Sequence, residues 1–224
     1  MTLNRIWVSC FLAGLLVLVL TAIIFPLFPQ EMAIPNGVDS PVIAFEFART
    51  QADLVAVFGE TGDPLRSERI QAMDQGNRVD FAYMAAYSAF IALFFCAAWR
   101  KTKRTIWLLF ASIGLLAGIS DAVENTILFA ITSDLGTAQG LSWLAYPVHL
   151  KFLSLYICAF GVGYFLLGSE NRSARWFGML LQLLAPVAVI LLALGFASAA
   201  TIVITLAWLS QLVISIKEYR RVST

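Results

Sequence analysis

Chemistry is easiest to argue from Asp121, Glu124 and Asn125. They stand in the stretch Gly118-Ile119-Ser120-Asp121-Ala122-Val123-Glu124-Asn125, inside an apolar run from Thr105 to Ile131. On a helix these positions fall at i, i+3 and i+4 and share one face. Charges within a membrane-length apolar run are costly, so they usually face protein or water and mark proton, ion or ligand sites. Two carboxylates held close together cannot both ionise cheaply. One then keeps its proton and becomes an acid beside a base, or the pair holds a cationic head group.

Two other residues join them by depth. Asp121 lies sixteen residues past Thr105, about 24 Å along a helix. That places it in the outer third of a crossing that runs outward. Asp80 opens the crossing before this one and His149 stands near the outer start of the one after it, so Asp80, Asp121, Glu124 and His149 come to a similar level. These four are the candidate catalytic residues. Asn77, Asp80, Met84 and Tyr87 form a stripe, with Tyr83 beside it. Gly114, Gly118, Asp121 and Asn125 form a second, whose glycines admit a neighbouring backbone. Tyr146, His149, Leu153 and Tyr156 form a third. Asn125, Tyr87, Tyr83, Tyr146, Asn77 and Lys151 are the candidate ligand-binding residues. Lys151 points about 200° away from His149 and reaches either the head groups or a neighbour's carboxylate.

Each of these has a plainer reading. Asp80 suits a helix start at the interface, Asn125 suits an interhelical hydrogen bond, and His149 suits a packing role. The tyrosines suit an interfacial belt. Asp121 resists such a reading best, because Ile127 to Ile131 continue the apolar run beyond it.

The elements that must carry these side chains are membrane helices. The chain has 224 residues, 60% hydrophobic and 13% charged, which is a membrane rather than a soluble composition. Six apolar stretches stand out: Ile6–Phe28, Asp80–Trp99, Thr105–Ile131, Trp143–Leu167, Trp176–Phe196 and Ser198–Ile216. Each approaches the ~20 residues that span a hydrocarbon core. The last two are read as a hairpin at Gly195, and Pro186 is expected to kink the fifth. Gln182 and Gln211 form a lesser polar pair toward the inner side. The first stretch is too long for a signal-peptide core and is read as a retained helix. The expectation is an all-α, polytopic membrane helix bundle of one domain, residues 1–224.

Ten of the fifteen basic residues fall in segments that are cytoplasmic if the N-terminus is. The positive-inside rule then puts both termini in the cytoplasm. Compact loops fit a bacterial inner membrane. Residues 29–79 become an extracytoplasmic cap. Within it Pro41 to Phe58 reads as one interfacial helix, burying Val42, Phe45, Leu54, Val57 and Phe58 and leaving Arg49 and Asp53 wet. Gly59 and Gly62-Asp63-Pro64 end it. A further helix is expected from Leu65 into the second crossing, with a bend at Gly76.

Cys10, Cys96 and Cys158 sit in apolar runs and read as buried thiols. A single His and no HExxH spacing give no metal motif. No GxSxG marks a serine nucleophile, and no basic, aromatic-interleaved patch suggests nucleic acid. No particular cofactor is implied. The expected function is an outward-facing, carboxylate-lined pocket between the second, third and fourth crossings. It would bind or modify a lipid-like or cationic hydrophobic small molecule, with membrane lipids as the other partners. Proton- or cation-coupled transport and an accessory subunit are the alternatives, and enzyme activity stays open.

Overall fold

Long apolar runs in a solvent without hydrogen-bonding partners must satisfy their backbone internally, and helices do so residue by residue. The computed structural model describes residues 3–34 and 40–223, and within them the fold is all-α as expected, with no strand. In chain order the helices are α1 Leu3–Ile24, α2 Pro41–Glu46, α3 Gln51–Phe58, α4 Arg66–Thr102, α5 Ile106–Ser133, α6 Leu141–Leu167, α7 Arg172–Ala193 and α8 Ala197–Ser223. Six of them, all except α2 and α3, are long and apolar enough to cross a membrane. Leu12, Ile119, Leu183 and Ile202 are each more than half exposed, which suits a surface facing acyl chains.

The contacts gather into two compact units, Met1–Leu18 with Ala85–Gly118 and Phe152–Thr224, and Val19–Met84 with Ile119–Lys151. The first unit has an aromatic core. Trp7 meets Phe94 edge-on at 5.9 Å, and Phe95 stacks on Trp107 and Phe110 at 6.0 and 5.2 Å. Here α6 and α7 touch backbone to backbone. A Cβ on Gly163 would lie 2.7 Å from the Gly178 carbonyl oxygen, and one on Gly178 equally close to that of Gly163. The expected hairpin joins α7 to α8 through Gly195, whose φ of 87° favours glycine. Pro186 lies inside α7 without ending it.

The second unit carries two departures from the sequence reading. Pro41 to Phe58 is not one helix. Ser40 caps α2, and a capping box between Thr50 and Asp53 starts α3 afresh. Two N-terminal caps, at Ser40 and Thr50, favour two short helices over one continuous one. Phe45, Leu54, Val57 and Phe58 are buried as expected, Val42 only half so, and Glu46 is buried with them. Phe45 and Phe58 meet edge-on at 4.9 Å, holding α2 to α3. Gly76, expected as a bend, lies within an unbroken α4 of 37 residues. Its role is steric, since a Cβ there would collide with the Phe28 ring.

Candidate functional site: a buried lysine among carboxylates

Within the second unit, α5 brings Asp121, Glu124 and Asn125 to one buried face, as their spacing requires. The residue that meets them is Lys151 of α6. Its Nζ lies 2.8 Å from Glu124 Oε1, 3.2 Å from Asp121 Oδ1 and 3.1 Å from Glu46 Oε1. An ammonium has three N–H donors, and each finds a carboxylate. Glu124 is fully buried, and Lys151, Asp121 and Glu46 nearly so.

Asp80 of α4 belongs to the same centre. Asn125 Nδ2 donates to Asp80 Oδ2 at 2.8 Å and to the Asn77 carbonyl at 3.3 Å. Asp80 is within Coulombic range of Asp121, Lys151 and Glu46. It is also the acid of the group that keeps some exposure. Tyr83 shares a hydrogen bond with Thr21 of α1. Beside Asp80, Phe81 is 41% exposed and stacks on Phe129 of α5.

The other expected members stand elsewhere. His149 is exposed. Its Nδ1 is 2.7 Å from the Ala145 carbonyl and its ring meets Phe47 edge-on, so it does not join the carboxylates. Tyr146 is also exposed and packs against Trp143. Tyr87 belongs to the first unit, where it stacks on Trp208 at 5.4 Å. Lys151 does point away from His149, but that direction leads into the protein rather than to the head groups. Glu46 is the member that sequence reasoning missed.

Four carboxylates stand near one buried ammonium, with the Arg49 guanidinium in Coulombic range of Glu124, so full ionisation would still leave surplus negative charge in a low-dielectric place. Glu46 and Glu124 approach within hydrogen-bonding range of each other. Each has a buried second oxygen, Oε2, without a donor. A proton shared between the two carboxyls would supply a donor and remove one negative charge. The Lys151 ammonium stands at the centre of the three carboxylates, the place a divalent ion would need.

Burial pushes the Glu46 carboxyl above its ordinary range, against the attraction of Lys151. A carboxyl raised in the folded state adds stability that is complete below the ordinary value of about 4.3. That stability is lost as pH rises through the folded value. Melting of the detergent-purified protein should therefore move to lower temperature as pH is raised from about 5. Glu46→Gln should flatten this slope. An unchanged slope in the variant would show that Glu46 does not carry the proton.

Six apolar helices of spanning length define a multi-pass membrane protein. No protein-family model, curated protein or solved structure matches the chain.

Proposed function

We propose that this membrane protein binds a cationic, lipid-like small molecule at Asp80. In this reading the Lys151-centred carboxylates release a proton to balance the incoming charge. The observation that carries it is the count of charges: Glu46, Asp80, Asp121 and Glu124 stand around a single buried ammonium. Lys151 directs its ammonium at Glu46, Asp121 and Glu124, and its single charge, although it attracts Asp80 too, cannot offset all four acids. Asp80 is the least buried of the four acids, and the apolar rings of Phe81 and Phe129 offer a surface for hydrocarbon. A cation arriving at Asp80 lowers the cost of ionising its neighbours, and a proton leaves. Asn77 adds a buried amide nitrogen without an acceptor, a donor for a polar group on the ligand. The distribution of Lys and Arg supports placing this centre toward the non-cytoplasmic side, with both termini cytoplasmic. A bacterial inner membrane is the location that fits.

The test uses tetraphenylphosphonium, a permanent lipophilic cation, with the purified full chain. Binding should tighten as pH rises, with proton release measured in weakly buffered solution. Asp80→Asn should weaken it at least about tenfold, the equivalent of about 1.4 kcal/mol. Binding that ignores both pH and Asp80 would overturn the reading. Accumulation of the cation driven by a pH gradient in proteoliposomes, and not in protein-free liposomes, would point to proton-coupled transport instead. Absence of any binding would favour the accessory-subunit role.

A further inference from the structure

A second place in the molecule, in the first unit and unused by the carboxylate centre, combines charge with apolar surface. The end of α4, the start of α5, the α6–α7 turn and the last turns of α8 border a half-open cavity of about 1070 Å³. Its wall includes Phe165, Phe177, Leu206 and Val213. Its rim carries Lys101, Arg104, Lys217 and Arg221 against Glu170 and Glu218.

The two acids already have partners. Lys101 Nζ lies 2.6 Å from Glu218 Oε1, and Arg221 lies 3.9 Å from Glu170. Arg104 donates to the Tyr164 hydroxyl at 3.1 Å, a neutral acceptor. Lys217 is exposed and makes no ion pair among the described residues. The rim therefore keeps positive charge that its own carboxylates do not cancel. The first backbone donors of α7 are not available either, because Asn171 Oδ1 accepts from Ser173 and Ala174.

We propose that this groove holds an anionic glycerophospholipid, with the phosphate met by Arg104 and Lys217 and an acyl chain on the Phe165–Phe177–Leu206 wall. A small soluble anion would satisfy the cations and leave the wall bare. A neutral amphiphile would cover the wall and leave the cations unmatched. An anionic lipid does both, and the bilayer supplies it at the level where helix-end Lys and Arg meet head groups.

Native mass spectrometry of the full chain, loaded with phosphatidylglycerol or with diacylglycerol of identical acyl chains, which lacks the phosphate, tests this. Each basic side chain near a head group is worth about fivefold in affinity, so two should favour the anionic lipid about 25-fold. The double variant Arg104→Gln, Lys217→Gln should lose that preference. Arg175→Gln, an exposed base away from the rim, should keep it. Leu206→Trp, which fills the groove, should lower retention of both lipids. Equal retention of the two lipids by the unaltered chain would overturn the proposal. So would a preference that survives the double variant, or glycerol phosphate binding as tightly as the lipid.

Discussion

Lys151→Met should be among the most damaging single substitutions in the chain. Methionine fills much of the same volume, so the loss is one of charge. Glu46, Asp121 and Glu124 would remain buried with no cation between them. Removing one partner from a buried ionic group costs about 3–5 kcal/mol, a large part of the 5–15 kcal/mol typical of a folded protein. The expected result is a sharp fall in monodisperse protein after extraction, seen by fluorescence-detected size exclusion. Adding Glu46→Gln and Glu124→Gln to Lys151→Met should restore much of the yield, because the surplus negative charge is then gone. The gain on combination is the signature, since independent sites would add their losses. A Lys151→Met protein as stable as the parent would show that the ammonium is not held among the acids.

Gly163→Val should be nearly as severe for a different reason. The contact it breaks is between main chains, Gly163 against the Gly178 carbonyl. No rotamer change can make room, so α6 and α7 must separate along their shared face. Overpacking commonly costs 1–3 kcal/mol, and about 3 kcal/mol is expected here because the neighbouring atom is backbone. Gly168→Ala is the matched control, with its nearest atom at 3.5 Å. Melting in detergent should fall steeply for the first and stay near the parent for the second. Equal midpoints would mean that the two helices tolerate a wider spacing.

These two sites show what a sequence can and cannot disclose. The α5 acids were legible because their spacing places them on one helical face, and that face is buried. Lys151 was legible in direction, and a neighbour's carboxylate was one of the two destinations left open. Leu144, Val148, Lys151, Leu155, Cys158 and Val162 recur at alternating steps of four and three and are all buried. Lys151 thus stands in the packed seam of α6. The stripe through His149 carries the rarer residue type, but the apolar repeat marks the buried face. Glu46 gave no local signal. Its partner lies far along the chain, and reading Pro41 to Phe58 as one helix hid the break that seats it. Of the Gly163–Gly178 contact, the sequence shows Gly161 and Gly163 as a close-approach pair in α6 but not which helix they meet. Six crossings were the most legible feature of all, because length and hydropathy alone specify them.

The order in which the Lys151-centred residues are synthesised has a consequence for biogenesis. Glu46, Asp121 and Glu124 all leave the ribosome before Lys151 does. When α5 first meets the translocon it carries two acids into a medium that disfavours them, by up to about 2.5–3.5 kcal/mol for an aspartate at the helix centre and less toward the ends, and its counter-charge has not yet been made. Partition of α5 into lipid thus becomes more favourable once α6 arrives, so these two segments should enter as a pair rather than one after the other.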